Sequence, residues 1–402
     1  MTQPLDGVRV LDLTSMVSGP TATVVLADQG AEVIKLERPG QGDHTRNVST
    51  RRGGFAASYL NNNRSKRSIA LDLKDPRGVE AALRLASRSD VVVQNFRPGV
   101  AERIGLGEEA VRAVRADIVY VSISGFGFEG PYAQKPVYDP LIQSVSGLTT
   151  VQAGSDAERP RLVRTILPDK LTGYVAAQAI TAALLQRHRT GEGQHIRLSM
   201  LDAVVAFLWG SDMSGYTFVG SEETEARPQS FIDLIYETAD GYVSVAVQSD
   251  REWEALIRAF DKPEWRDDPR FSTVADRQRN IDDRLALTQE VLLTDTAEAW
   301  IERLEAEGVP CAPVLTRREM IAHPQIEANE TVMEYDHPQA GRLRQARPAP
   351  RFSGAPWAEP RPAPALGADT RAVLAEAGMD EAAIEALIAD GVAAEGEPEV
   401  GA

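Results

Sequence analysis

The stretch VRVLDLTSMVSGPTATVVLADQGAEVIKLE, residues 8–37, indicates the fold class of this chain. Val8–Leu13 is a short apolar run of the kind that forms a buried strand. An apolar helical pattern follows from Thr21 to Gln29 and ends at Gly30, and Ala31–Glu37 is a second apolar run. A strand, a helix and a second strand of these lengths predict two parallel strands joined by a right-handed crossover.

The same alternation continues through the first half of the chain. Further apolar runs at Asp90–Gln94 and Ile118–Ser124 predict strands, and Gly78–Ser87 predicts the helix before the first of them. A long stretch rich in small and apolar residues, Leu171–His188, predicts a buried helix, and the strand Gln194–Ser199 follows. We therefore expect an α/β protein with a large Rossmann-like open sheet and helices on both faces.

The character of the chain changes at residues 221–229, a polar segment that we interpret as a linker. Residues 1–220 would form the first part of the large domain, and residues 230–330 a smaller inserted α+β domain. Alternating residues around Asp240-Gly241 predict a hairpin in this smaller domain. Residues 331–402 would supply a proline-rich wrapping linker and a C-terminal helix that returns to the large domain.

Composition limits the class of partner. Among 402 residues, 43 Lys and Arg stand against 59 Asp and Glu, and the net charge is −16. Such a surface repels nucleic acid and anionic membranes, so we expect neither as a partner. With Cys311 as the single cysteine no intramolecular disulfide is possible, and no run of 18 apolar residues occurs. A cytoplasmic protein is expected.

Several familiar motifs are excluded by their context. Gly125–Gly130 matches GxGxxG after a strand, but Pro131 and a segment without helical period follow, so we predict a loop and no dinucleotide site. Neither GxxxxGK[ST] nor GxSxG occurs. The five histidines have no HxxxH or HExxH spacing, and one cysteine cannot build a thiolate site, so no metal is expected.

The remaining polar groups follow the predicted strands. Arg38 closes the second strand and Asn95 the third, where doubly wound sheets bind ligands. Asp169 begins the long helix, and two interpretations of it are open. It is either an N-cap, with Thr172 three residues on, or a carboxylate that takes part in chemistry.

Taken together, these segments resemble the class III CoA-transferase family, which includes formyl-CoA transferase, carnitine CoA-transferase and α-methylacyl-CoA racemase. The resemblance runs from Leu5 to about Val392. The segments that carry it include LDGVRVLDLT at 5–14, SGPTATVVLADQGAEVIKLERPGQGD at 18–43, NRSKRSIALDLKD at 63–75, DVVVQNFRPGVAERIGLG at 90–107, VSISGFGFEGPY at 121–132 and LPDKLTGYVAAQAITAALLQRHRTGEGQHIRLSMLDA at 167–203.

The resemblance implies that Asp169 is the nucleophile of a CoA transfer between an acyl-CoA thioester and a carboxylic acid. The side chain would form an acyl-aspartyl anhydride and then an aspartyl-CoA thioester. No tightly bound cofactor is implied, because the CoA thioester is itself the substrate. The family also implies an intertwined homodimer.

The CoA-binding positions are likewise implied by the resemblance. Arg38, Lys74 and Arg103 would supply cations for the phosphates of CoA. The complete set is Met16, Val17, Arg38, Leu71, Lys74, Asn95, Phe96, Arg97, Arg103, Tyr138 and Asp139.

Two departures from the family narrow the activity. Val17 replaces the glutamine of formyl-CoA transferases, and the glycine-rich lid of those enzymes has no counterpart within Phe231–Asp250. Tyr138 replaces the histidine that serves racemases as second acid/base, and a phenol with a pKa near 10 is a poor proton shuttle. Transferase is therefore favoured over two alternatives, an acyl-CoA racemase or isomerase acting by α-proton abstraction and a non-catalytic CoA-binding protein.

Two groups of arginines adjoin the matched segments, one within Arg46–Arg52 and one formed by Arg159, Arg161 and Arg164. Either group could pair with a second carboxylate. A dicarboxylate acceptor such as succinate or a branched C5 diacid is then expected, with ordinary loop charge as the alternative.

Overall fold

The structure, a computed structural model, describes residues 2–221 and 234–396. Most of the predicted linker at 221–229 and the start of the predicted hairpin at 231–233 lie outside the described residues. The chain divides into two compact units, one of Met1–Gly220 with Glu330–Ala402 and one of Ser221–Asn329.

The strands are β1 (Arg9–Asp12), β2 (Glu32–Glu37), β3 (Arg51–Arg52), β4 (Phe55–Ala56), β5 (Lys66–Leu71), β6 (Val91–Gln94), β7 (Val119–Ser124), β8 (His195–Ser199), β9 (Ile235–Glu237), β10 (Tyr242–Val245), β11 (Cys311–Pro313), β12 (Val332–His337), β13 (Gly341–Ala346) and β14 (Ala393–Ala394). The helices are α1 (Ser18–Asp28), α2 (Ala57–Asn63), α3 (Pro76–Ser87), α4 (Val100–Arg103), α5 (Glu108–Val114), α6 (Asp139–Val145), α7 (Leu148–Ala153), α8 (Leu167–Thr190), α9 (Met200–Trp209), α10 (Asp250–Phe260), α11 (Val274–Arg279), α12 (Ile281–Leu292), α13 (Ala297–Glu307), α14 (Arg317–Ile321), α15 (Pro324–Ala328), α16 (Thr370–Glu376) and α17 (Glu381–Ala389). None of the described helices is both long and apolar enough to cross a bilayer.

Within the described residues, seven strands of the first unit form one sheet in the order β14-β5-β2-β1-β6-β7-β8. All neighbours are parallel except β14, which pairs antiparallel with β5. Without β14, the order is that of a doubly wound sheet, and the winding reverses between β1 and β6. The predicted α/β class is confirmed.

Alternate residues of the strands build two cores on opposite faces of this sheet. In β1, Val10 packs with α1 and α8, whereas Leu11 packs with α3, α16 and α17. Because both faces are covered, β1, β2, β6 and β7 carry consecutive buried apolar residues rather than a strict alternation of apolar and polar ones. This explains why short apolar runs predicted these four strands.

Two helices on one face of the sheet, α1 and α8, touch at a glycine. A Cβ added to Gly173 of α8 would lie 2.6 Å from the Cβ of Thr21 and 2.8 Å from the carbonyl oxygen of Ser18. The missing side chain lets the two backbones approach closely. The first turns of α1 and α8 therefore lie side by side.

The second unit contains an antiparallel sheet in the order β11-β10-β9. Tyr242 pairs with Glu237 across the turn at Asp240-Gly241, so the predicted hairpin is confirmed where the structure describes it. The surrounding helices contribute Trp253 and Trp300 to its core.

The C-terminal region differs in part from the expected linker and single helix. Residues 332–346 form the hairpin β12–β13, and two helices, α16 and α17, precede a strand that pairs with β5. The hairpin was missed because its buried residues, Tyr335, His337 and Gln345, alternate with charged ones that resemble a loop. Residues 347–366 contain no helix or strand, only a bridge between Phe352 and Ala355.

Candidate active site

The carboxyl ends of the central strands bring several predicted site residues to one edge of the sheet. Met16 follows β1, Arg38 follows β2 and Lys74 follows β5. Asn95 follows β6, and its side chain bridges the point where the winding reverses. Its Nδ2 donates to the Ser15 carbonyl (2.8 Å) and its Oδ1 accepts from the Ser15 amide (3.0 Å). Open sheets of this kind bind ligands at this point.

The loop between β1 and α1 has an unusual backbone. Met16 has φ of 70°, a left-handed conformation that side chains other than Gly, Asn and Asp rarely adopt. Its amide donates to Asp43 Oδ1 (3.1 Å). Val17 caps the N-terminus of α1 with its backbone and is half-buried.

The predicted phosphate-binding cations are exposed side chains. Arg38 donates to Gln41 Oε1 (3.1 Å), and Arg97 and Arg103 extend from the segment after β6. In the part of the chain that the structure describes, neither these three arginines nor Lys74 forms an ion pair within the protein. Their charges are therefore available to an anionic ligand.

Three other predicted CoA contacts have different surroundings. Leu71 is 1% exposed and belongs to the core, so only its backbone could meet a ligand. Phe96 packs against the same core, and its amide donates to Gln94 Oε1 (2.8 Å). Tyr138 is 70% exposed immediately before α6. All of these positions stay predictions of ligand contacts.

Asp169 lies in the first turn of α8, but the residue in the N-cap position is Ile166. The N-cap interpretation of Asp169 is therefore wrong, and the Thr172 hydroxyl instead donates to the Pro168 carbonyl (2.7 Å). The Asp169 carboxylate lies beside Ser18, the first residue of α1, whose amide and hydroxyl favour its ionised form. It thus lies at the N-termini of two helices, whose dipoles favour negative charge.

Burial, with the neighbouring charge of Asp139 as a second cause, raises the pKa of Asp169 to about 6, although the polar groups of Ser18 act to lower it. At pH 7 roughly nine in ten of these side chains are then ionised. The group is a carboxylate that is largely removed from water yet remains charged. Such a carboxylate is suited to attack a carbonyl carbon.

Asp139, the first residue of α6, is 4% exposed, and its carboxylate contacts the backbone of the nucleophile candidate. Its Oδ2 accepts from the Asp169 amide (3.3 Å) and its Oδ1 from Gln143 Nε2 (2.6 Å). Gln143 Oε1 in turn accepts from the Val163 amide (2.9 Å), which fixes the segment before α8. Burial raises the pKa of Asp139. Its carboxylate is occupied by these bonds, although the resemblance placed it among the CoA contacts.

Ser18 and Gln143 were not among the site residues predicted from the sequence. Gln143 follows Asp139 by four residues, the spacing of one helical face, and this signal was present in the sequence. Ser18 carried no such signal, because its link to Asp169 joins helices about 150 residues apart in the chain.

The arginines considered for the acid substrate separate into two groups. Arg46 forms an ion pair with Glu37 (Nη2–Oε2 2.6 Å) and stacks 3.7 Å above the Tyr59 ring, so it is not available to a substrate. Arg159, Arg161 and Arg164 are exposed or nearly so, and within the described residues they form no ion pair. The described residues contain no group of three metal-ligating side chains.

Comparison with known proteins identifies the family. The sequence profile described as CoA-transferase family III matches residues 5–370. Succinyl-CoA:glutarate CoA-transferase of Homo sapiens is 35% identical over 398 residues, covering 97% of this chain and 90% of the relative. Succinate–glutarate CoA-transferase of Agrobacterium fabrum is 34% identical, covering 93% and 95%. The crystal structure of a CaiB/BaiF family protein from Brucella suis superposes with a TM-score of 0.82 at 31% identity, covering 94% of this chain and 100% of that one.

The chain therefore belongs to CoA-transferase family III and is a class III CoA-transferase of the CaiB/BaiF type. CoA thioesters are the substrates of this family, as the resemblance implied.

Proposed function

We propose that this enzyme transfers CoA from the thioester of a dicarboxylic acid to a second dicarboxylic acid, with Asp169 as covalent nucleophile. The observation that carries the proposal is the position of the Asp169 carboxylate in the first turn of α8, beside Ser18 at the start of α1. The substrate class is supported by the relatives in Homo sapiens and Agrobacterium fabrum, whose names specify succinate and glutarate.

The proposed reaction begins when the Asp169 carboxylate attacks the thioester carbonyl. The C–S bond breaks, and the products are an acyl-aspartyl anhydride and CoA thiolate. The thiolate then attacks the aspartyl carbonyl, which gives an aspartyl-CoA thioester and releases the first acid. The acceptor carboxylate attacks this thioester, and the returning thiolate attacks the acyl carbon of the second anhydride, which restores Asp169. Thioester energy is kept throughout, so no nucleotide is consumed.

In this mechanism, the protein's own groups stabilise charge and exclude water. The Ser18 amide, at the positive end of α1, is suited to hold the oxyanion that forms on the aspartyl carbonyl. Arg38, Lys74 and Arg103 would bind the phosphates of CoA. Exclusion of water is required, because each intermediate can hydrolyse.

The acid substrate is the more specific part of the proposal. The candidates to bind the distal carboxylate of a C4 or C5 diacid are Arg159, Arg161 and Arg164, which form no ion pair among the described residues. In the other group, Arg46 is engaged by Glu37, and Arg51 and Arg52 donate to the backbone carbonyls of Gly54 and Arg342. The apolar Val17 beside α1 suits an acyl chain better than it suits oxalate.

Racemisation is less well supported than transfer. It requires an acid and a base on opposite sides of the α-carbon. Tyr138 is 70% exposed, and the Asp139 carboxylate is already held by Gln143 and the Asp169 amide. The Asp139 carboxylate is therefore not free to exchange a proton with the substrate.

The decisive experiment is to incubate the enzyme with succinyl-CoA, quench with hydroxylamine and map the modified peptide by mass spectrometry. We expect hydroxamate on Asp169 and transfer to glutarate, and both should be lost in Asp169→Ala. Asp202→Ala, which removes an exposed aspartate from the first turn of α9, is the matched control and should keep both. Modification elsewhere, or full activity of Asp169→Ala, would refute the proposal. Transfer to monocarboxylates only would refute the substrate class.

We further propose the organisation that the resemblance implies, an inserted domain at 230–330 and an intertwined homodimer in the cytoplasm. Support for the dimer comes from large apolar side chains that a single chain leaves exposed, including Tyr174 (62%), Phe207 (52%) and Phe218 (73%). Light scattering of the purified enzyme tests the dimer directly.

A further inference from the structure

Four charged side chains lie fully inside the first unit, beneath the loop between β1 and α1. We call them the buried charge network, and they are Asp12, Lys35, Asp43 and Lys66. Each is at most 3% exposed. The catalytic steps proposed above use none of them.

The network holds the loop that precedes α1. Lys35 Nζ donates to the Thr14 carbonyl (2.8 Å) and forms an ion pair with Asp43 Oδ2 (2.9 Å). Asp43 Oδ1 accepts from the Met16 amide (3.1 Å), and Asp12 Oδ1 accepts from the Thr14 amide (2.9 Å). The backbone of the loop is therefore fixed from below at both Thr14 and Met16.

The same network also holds the first turn of α1. Lys66 Nζ donates to the Pro20 carbonyl (3.2 Å) and to Thr23 Oγ1 (2.8 Å). The Thr23 hydroxyl donates to Asp12 Oδ2 (2.6 Å), which also pairs with Lys66 (3.1 Å). Ser18, which lies beside Asp169, comes between the two anchored segments in the chain.

Stability alone does not account for such an arrangement. Removing charges from water costs so much that well-packed apolar residues are often at least as stable as a buried ion pair. Buried pairs instead impose one geometry. Here that geometry includes Met16 with φ of 70°, a conformation that costs a methionine free energy and that the Asp43 hydrogen bond stabilises.

We propose that Asp43 and Lys35 are positioning residues of the transferase, which act through Met16 and Thr14 to keep Ser18 against the Asp169 carboxylate. This inference rests on the proposed role of Asp169 as nucleophile. Weakening the network would let the N-terminus of α1 shift, and the nucleophile would lose the nearby polar groups of Ser18 that favour its ionised form.

The primary test is Asp43→Asn, which keeps an oxygen for the Met16 amide but removes the carboxylate with which Lys35 forms its direct ion pair, leaving Asp12 and Glu37 as the nearest acidic groups. The second variant, Lys35→Met with Asp43→Asn, removes both charges and so avoids an unpaired buried ion. The matched control is Asp28→Asn, which breaks a similarly buried pair with Arg64 (2.6 Å) at the opposite end of α1. Each variant is assayed as the full-length enzyme, with its unfolding midpoint recorded.

In the wild type, kcat/KM should decrease on the acid side of its pH profile, and the midpoint of this acid limb should equal the pKa of Asp169, about 6. In Asp43→Asn and in the double variant, we expect that limb to move upward by about half a pH unit or more. The single-turnover rate of aspartyl modification should fall about tenfold, because a small misplacement of a nucleophile is costly. Asp28→Asn should lose stability but keep both the limb and the rate.

The outcomes separate this inference from the proposed function. If hydroxylamine finds no modification on Asp169 in the wild type, the proposed nucleophile is refuted. If Asp169 is modified, but the folded double variant has the wild-type limb and rate, the positioning inference is overturned while the nucleophile stands. The same holds if Asp28→Asn shifts the limb as much as Asp43→Asn does, because the effect is then one of general stability.

Discussion

At the scale of single residues, Asp169 is placed where its charge costs folding free energy. Its pKa of about 6 lies above the ordinary value of 3.8 because burial disfavours the carboxylate. A raised carboxyl pKa means that the folded state binds the proton more tightly than the unfolded state does. The contribution of this group to the free energy of unfolding is therefore most favourable at low pH. That contribution is lost as the pH rises through about 6.

We predict that Asp169→Asn stabilises the protein in a pH-dependent way. At pH 8, where the wild-type group is charged, the variant should gain up to about 3 kcal/mol in the free energy of unfolding. Near pH 4.5 the group is protonated in the fold but still mostly ionised in the unfolded chain, and the gain should fall to about 1 kcal/mol. Urea unfolding at both pH values measures the difference. Asp202→Asn should show no such dependence, and an equal gain at both pH values would contradict the assigned pKa shift.

At the scale of elements, the site depends on how closely α1 approaches α8. The contact at Gly173 brings the N-terminal turns of both helices together, which places Ser18 beside Asp169. Glycine costs helix stability, so its presence inside α8 needs a packing reason. The absence of a Cβ at this contact supplies one.

We predict that Gly173→Ala is destabilising despite the better helix propensity of alanine. The added Cβ would lie 2.6 Å from the Thr21 Cβ, and relieving that overlap should cost about 1–3 kcal/mol. Activity should fall as well, because Ser18 moves with α1. Thermal unfolding and the transfer assay measure both effects.

The matched control is Gly210→Ala at the end of α9. Gly210 has φ of −62°, and its added Cβ meets the nearest atom at an ordinary 3.4 Å. This variant should be neutral or slightly stabilised. If Gly173→Ala behaved the same way, the close helix contact would not be a requirement of the site.

At the scale of the whole molecule, an enzyme with a net charge of −16 has to bind a polyanion. The net negative charge of the protein repels CoA. The attraction of CoA to the cations at the carboxyl edge of the sheet therefore has to exceed this repulsion locally. Arg38, Lys74 and Arg103 have no acidic partner among the described residues that would cancel their charge.

We predict that Arg103→Glu raises the KM for acyl-CoA about tenfold or more at low salt, with kcat changed much less, because the phosphates are bound equally in ground and transition states. Added salt should narrow the difference from the wild type. The control is Arg189→Glu, which makes an equal change in charge in the last turn of α8, at the end of that helix remote from Asp169. This variant should leave KM nearly unchanged. A comparable rise in the control would assign the effect to overall charge.

Local pattern was sufficient for much of this protein. Strands buried on both faces consist of short apolar runs, so β1, β2, β6 and β7 and the helices α1 and α3 could be predicted, and with them the α/β class. Segments such as DVVVQNFRPGV at 90–100 carried the family resemblance, which implies Asp169 as the nucleophile. The strand β5, the hairpin β12–β13 and the strand β14 were not predicted, because charged residues or short length concealed their periodicity.

The sequence by itself determined the fold class, the family and the nucleophile candidate, since these depend on patterns and motifs that are local in the chain. Only the tertiary structure decided what surrounds that candidate. Ser18 beside Asp169, Asp139 beneath it and the ion pairs below the loop at Met16 all join residues distant in sequence. No local pattern encodes such contacts, because they arise when parallel strands align their ends and two helices pack through a glycine.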